Sequence, residues 1–112
     1  MALPKAVVKS ITPSELKSRL DAGEDLHLVD VREAFEKEIA DIGGALIPKG
    51  EVLSKVDQIP RDKTVVVYCR SGGRSAAVID ALQSVHGFTN LVNLAGGVLR
   101  WSDEVDSSVT KY

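Results

Sequence analysis

Thr64-Val65-Val66-Val67-Tyr68-Cys69-Arg70-Ser71-Gly72-Gly73-Arg74-Ser75-Ala76-Ala77-Val78-Ile79-Asp80-Ala81-Leu82 changes character twice along its length. Thr64 to Tyr68 is a continuous β-favouring run, as expected of a central parallel strand covered on both faces. Ser75 onward has the composition of a helix, with Val78, Leu82 and Val85 at helical spacing and Gly87 placed to end it. Between strand and helix lies a loop with the only cysteine of the chain, two glycines and two arginines. A strand that hands over to a helix through such a loop is the unit of an α/β fold, and ligands of open parallel sheets bind beyond the carboxyl ends of the strands.

The flanking sequence repeats this alternation. Thr12 can cap a helix, Pro13 suits its first position, and Glu15 completes a capping box. Ile11 and Leu16 stand at the positions of a hydrophobic staple. This helix is expected to run to about Ala22, burying Leu16 and Leu20, with Gly23 as its stop. Leu26 to Val31 reads as a buried strand ending near Asp30. Arg32 to Glu38 reads as a charged helical segment with Phe35 as its inward anchor. After Gly43-Gly44, Ala45 to Ile47 is a short strand that Pro48 ends. Glu51 to Ile59 reads as a helix with Val52, Leu53, Val56 and Ile59 on one face. Leu91 to Leu94 is a further strand, Gly96-Gly97 a turn, and Val98 to about Val105 a short helix carrying Trp101, which is expected to pack in the core. The expected fold is therefore a three-layer α/β domain with a mainly parallel central sheet flanked by helices. Residues 1–112 read as one domain with a core from about 10 to 105 and a polar, frayed tail over 106–112.

Bulk properties narrow the function classes. Of the 112 residues, 44% are apolar and 27% charged, which suits an ordinary globular domain. A net charge of -2 gives no support for nucleic-acid or membrane-surface partners. No stretch is apolar enough to span a bilayer, and the start of the chain lacks the apolar region of a signal peptide. The default location is cytoplasmic, with a removed leader still possible. A lone cysteine excludes an internal disulfide, a paired-cysteine redox motif and a multi-cysteine zinc site. His27 and His86, far apart in sequence, read as structural, and no metal or cofactor is expected.

What remains is the chemistry of the loop. A cysteine reacts as its thiolate, which helix N-termini and nearby cations stabilise. Backbone N–H groups of Arg70, Ser71, Gly72, Gly73, Arg74 and Ser75 can converge on the sulfur as an anion-binding nest. Gly72 and Gly73 can take the positive φ angles of such a curl. Arg70 and Arg74 can hold an oxyanion by paired hydrogen bonds. Four residues separate Cys69 from Arg74. Phosphatases with a cysteine nucleophile have one residue more, and the position of their arginine holds Ser75 here. The smaller cradle suits a cysteine carrying one extra sulfur atom.

These residues resemble the single-domain form of the rhodanese (thiosulfate sulfurtransferase) family, over nearly the whole chain. Leu28-Val29-Asp30-Val31-Arg32-Glu33 looks like the family's first signature, Val65 to Ser75 like its active-site loop, and Leu94-Ala95-Gly96-Gly97 with Trp101 like its C-terminal signature. The resemblance implies that Cys69 takes a sulfane sulfur from thiosulfate or a similar donor, becomes a persulfide and passes the sulfur to cyanide, a thiol or a protein acceptor. It implies that Arg70, Ser71, Gly72, Gly73, Arg74 and Ser75 bind the donor. Asp30 and Arg32 read either as an exposed pair at a strand end or as supports that orient the loop, and the resemblance points to the second. A persulfide carrier or partner-binding module, delivering sulfur to one dedicated protein, is the alternative to a free-standing enzyme. One position departs from the family: Asp41 stands where relatives often have His, which moves the open question to the acceptor rather than the nucleophile.

Overall fold

The computed structural model describes residues 7–112. The first six residues, part of the start that reads as lacking a signal peptide, lie outside the described residues. Five strands, β1 (Ser10–Ile11), β2 (His27–Asp30), β3 (Ala45–Leu46), β4 (Val65–Tyr68) and β5 (Leu91–Leu94), form one sheet in the order β1-β5-β4-β2-β3. Every pairing is parallel. Helices α1 (Pro13–Asp21), α2 (Ala34–Ile39) and α3 (Gly73–His86) link successive strands, and α4 (Gly97–Glu104) follows β5. The α/β architecture is the expected one.

β4 lies at the centre of the order, and all four of its residues are buried. Because side chains alternate along a strand, Val65 and Val67 enter one core with Val78, Ile79 and Leu82 of α3. Val66 and Tyr68 enter the other with Leu16, Val98 and Trp101 from α1 and α4. Trp101 is thus a core residue, as expected.

Helix α1 begins as its residues dictate. The Thr12 hydroxyl accepts from the Glu15 N–H at 3.1 Å, and the Glu15 carboxylate accepts from the Thr12 N–H at 3.1 Å. Ile11 and Leu16 are buried in one cluster, which completes the staple. Gly87, at φ 67°, ends α3 with its N–H directed at the Gln83 carbonyl.

Four local expectations give way. Glu51 to Ile59 is not one α-helix but two 3-10 helices, Lys49–Ser54 and Val56–Gln58. The break at Lys55 prevents a continuous helical face, so Val52 and Ile59 are buried while Leu53 is 50% exposed. Val85 lies on the solvent side of α3, and Ile79 joins Val78 and Leu82 in the core instead. Phe35 is 62% exposed, and Glu36 is the inward residue of α2. The inward face of that helix meets arginines rather than the apolar core, so a carboxylate displaces the aromatic ring. The tail is anchored rather than frayed. Ser102 donates to the Val109 carbonyl at 2.7 Å, and Val109 and Tyr112 pack against the α1–α4 core.

Candidate active site

The parallel order places the carboxyl ends of β2 and β4 side by side. Asp30 is in register with Tyr68, and Cys69 follows directly. Cys69 is 1% exposed. Its sulfur sits inside the turn that leads into α3. The Gly72 N–H donates to Sγ at 3.1 Å, and the Ser75 hydroxyl lies 3.4 Å from it. Burial pushes the thiol up, but hydrogen bonds from the Ser75 hydroxyl and from the N–H groups of Ser75, Gly72 and Ser71 outweigh it. The net effect holds Cys69 below its ordinary value.

The carbonyl side of the loop explains how these N–H groups are kept free. The Val98 N–H donates to the Cys69 carbonyl at 3.0 Å, and the Leu99 N–H to the Arg70 carbonyl at 3.1 Å. Both donors belong to the first turn of α4, whose N–H groups have no partner within their own helix. One helix terminus therefore binds the outer, carbonyl side of the loop while the inner, amide side faces sulfur. This approach requires Gly97. A Cβ there would lie 2.5 Å from both carbonyl oxygens, and its φ is 59°. Gly72 takes the curl at φ 104°, whereas Gly73 has already entered α3 in ordinary helical conformation.

Asn93 completes the cradle and is not apparent from motif reading. It projects from β5, buried, with its Nδ2 donating to the Gly72 carbonyl at 3.2 Å and its Oδ1 accepting from the Ser75 hydroxyl at 2.6 Å. The single Ser75 proton is therefore shared among Asn93, the sulfur and the Gly72 carbonyl, which lies 3.3 Å from the hydroxyl. The available signal was a polar side chain within the otherwise aliphatic Leu91-Val92-Asn93-Leu94 run of a buried sheet.

The three arginines around the loop differ in their surroundings. Arg32 is wholly buried, and each of its five N–H donors has a partner. Nε and Nη2 meet the Asp30 carboxylate at 2.9 and 2.7 Å. Nη2 also reaches the Ala40 carbonyl at 2.7 Å, and Nη1 reaches the Glu36 carbonyl at 3.2 Å and the Tyr112 hydroxyl at 2.9 Å. Asp30 and Arg32 thus form a buried pair that also binds carbonyls at the end of α2, not an exposed one. Arg74 forms a bidentate pair with Glu36, at 2.6 and 2.8 Å. Arg70 is exposed, with its guanidinium 5.2 Å from the centre of the Tyr112 ring. Ser71 and Gly73 are exposed at the mouth of the loop.

Glu36 joins these groups. Besides Arg74, it accepts from the Tyr112 hydroxyl at 2.7 Å. The Arg74 hydrogen bonds outweigh burial and, with those from Tyr112 and the Glu33 N–H, lower its pKa to about 2. Asp41 accepts from the Gly43 N–H at 2.8 Å and from Lys37 at 3.0 Å. Its carboxylate organises the turn before Gly44, where any Cβ would strike the Tyr68 ring at 2.6 Å.

With that geometry in place, comparison with known proteins defines the class. The rhodanese-like domain family matches residues 12–104, and the chain belongs to this family. The chain is similar to the "Sulfurtransferase" of Allochromatium vinosum, with 36% identity over 86% of this chain and 90% of that protein. It is 41% identical, over 92% of its own length, to "Probable adenylyltransferase/sulfurtransferase MoeZ" of Mycobacterium tuberculosis, but spans only 27% of that longer protein. A rhodanese-related protein from Thermoplasma volcanium superposes with a TM-score of 0.76 at 35% identity, covering 87% of this chain and 93% of that one.

Two outcomes follow from the geometry. Gly97→Ala should destabilise the fold by at least about 1–2 kcal/mol, the cost of a left-handed non-glycine residue. It should also slow iodoacetamide alkylation of Cys69 at neutral pH, because the displaced α4 terminus releases the loop; unchanged alkylation would disprove the coupling. The Glu36 contribution to stability should be complete above about pH 4.5, its ordinary value, and should fall as pH drops towards about 2. Thermal unfolding from neutral to acid pH should show a shallower decline in Glu36→Gln than in the parent, and equal slopes would refute the assignment.

Proposed function

We propose that this protein transfers a sulfane sulfur through a persulfide on Cys69, drawn from thiosulfate or a similar donor and passed to a thiophilic acceptor. The observation that supports this most is the convergence of N–H groups on a buried Sγ, with the loop carbonyls held away by α4. Such a cradle favours an anionic sulfur and needs no general base.

In the first step the Cys69 thiolate attacks the outer sulfur of thiosulfate. The new S–S bond forms as the sulfur–sulfur bond of the donor breaks, and sulfite leaves with that bonding pair. The product is a persulfide anion on Cys69, whose charge the loop amides stabilise. In the second step a nucleophile such as cyanide attacks the outer sulfur, thiocyanate leaves, and the Cys69 thiolate is restored. Charge and electrons balance in both steps, and the scheme requires ping-pong kinetics.

Arg70 is the group best placed to meet the anionic end of the donor, since it is exposed and faces no carboxylate among the described residues. Arg74 acts from behind, as the cation that ties α2 to the loop through Glu36. Ser71, Gly72, Gly73 and Ser75 supply the cradle, and Asp30 with Arg32 supports the strand ends on which it rests. A reducing compartment such as the cytoplasm suits a thiol that must stay free.

Incubation with thiosulfate should add the mass of one sulfur atom to the protein, reversibly by dithiothreitol, and cyanide should then release thiocyanate over many turnovers. Cys69→Ala should abolish both signals. Turnover that survives in this variant would overturn the proposal, whereas a loaded Cys69 that turns over slowly with cyanide would mark a carrier serving a dedicated protein.

A further inference from the structure

One cation of the loop stands without a carboxylate partner among the described residues. Arg32 is matched by Asp30 and Arg74 by Glu36. Among the described residues, Arg70 has no carboxylate within salt-bridge distance. It is therefore the uncompensated positive charge of the loop, and where it points decides whether the mouth of the site attracts an anion. Left to itself, an exposed arginine samples many rotamers.

Tyr112 removes much of that freedom. The Arg70 guanidinium lies 5.2 Å from its ring centre, within the range of cation–π attraction. The ring is itself held from two sides. Its hydroxyl donates to Glu36 Oε2 at 2.7 Å and accepts from Arg32 Nη1 at 2.9 Å. The ring also packs against the α1–α4 core, and the Arg32 guanidinium lies 5.9 Å from its centre. One aromatic side chain thus touches the three charged residues Arg32, Glu36 and Arg70, and through Glu36 it reaches Arg74.

We propose that Tyr112 is a positioning residue for the donor site: its ring seats Arg70 over the mouth of the Cys69 loop, and its hydroxyl fixes that ring to Glu36 and Arg32. The consequence is selectivity for anionic over neutral sulfur donors. This rests on the sulfur-transfer reading for its biological meaning, but the electrostatic effect at Cys69 can be measured without any sulfur transfer.

Iodoacetate and iodoacetamide alkylate the same thiolate and differ in charge, so the ratio of their rates reports the field at the sulfur. In Tyr112→Leu the iodoacetate rate should fall about two- to fivefold relative to iodoacetamide, the range set by an exposed cation–π contact. Well above the thiolate midpoint the iodoacetamide rate should not move, which a merely destabilised loop would not allow, and the midpoint itself should rise slightly, because the field that attracts iodoacetate also stabilises the thiolate. Arg70→Ala should lower the ratio similarly, and the double variant should show no further fall. An unchanged ratio in folded Tyr112→Leu overturns the proposal. Should that variant fail to fold, an unchanged ratio in Arg70→Ala overturns it equally, because Arg70 would then exert no field to be positioned. A protein that shows these ratio changes but forms no persulfide would sink the sulfur-transfer reading and leave the role of Tyr112 intact.

Discussion

A peptide unit is planar, with its N–H and C=O pointing opposite ways, and this governs the site. The amides of the loop after β4 can face a sulfur only if its carbonyls face somewhere else. The first turn of α4 provides that place, with the Val98 and Leu99 N–H groups on the Cys69 and Arg70 carbonyls. Donors that every helix leaves unpaired are matched to acceptors that the loop must leave unpaired. The match depends on close approach, and only a glycine at position 97 permits it. Two segments distant in sequence, the cysteine loop and the Gly96-Gly97 turn, therefore form one structural unit. Asn93 fastens the same unit to β5 through Gly72 and Ser75.

The buried pair of Asp30 and Arg32 supports this unit from the neighbouring strand. Burying an ion pair is costly unless its remaining donors are also satisfied, and the net stabilisation is often small. Here every guanidinium donor is satisfied, so the pair serves mainly to set positions. It ties the end of β2 to the end of α2 through the Glu36 and Ala40 carbonyls and meets the Tyr112 hydroxyl. Losing one partner would leave the other charged and buried, a penalty on the order of 3–5 kcal/mol. Removing the pair together would cost less and would release α2.

Much of this was legible before the structure. Val65 to Tyr68 announces a central strand because a strand covered on both faces has no polar alternation. Thr12, Pro13 and Glu15 announce a helix start because the partners lie within one turn. The cysteine loop is local as well, so its curl and its anion-binding character could be read from consecutive residues. What escaped depends on contacts made across the chain. Phe35 reads as the anchor of a charged segment until Arg74, 38 positions beyond Glu36, supplies the charge that turns Glu36 inward instead. Tyr112 reads as the end of a polar tail until Arg32 and Glu36 meet its hydroxyl. Asn93 was visible as a polar oddity, but its purpose was not, because Gly72 and Ser75 approach it only in the folded sheet.

Family membership, the cradle and the isolated cation all support the proposal that Cys69 carries a reactive sulfur as an anion. The wider setting of that sulfur is carried by features outside the nucleophile: the Arg70 side chain at the mouth, and the turn that Asp41 organises with Lys37 and Gly43. The central claim concerns the sulfur itself, and titrating the ultraviolet absorbance of the Cys69 thiolate tests it most directly. A single transition below the ordinary thiol value, absent in Cys69→Ser, is the predicted result. A transition at or above that value would mean that burial outweighs the loop amides, and would contradict the account.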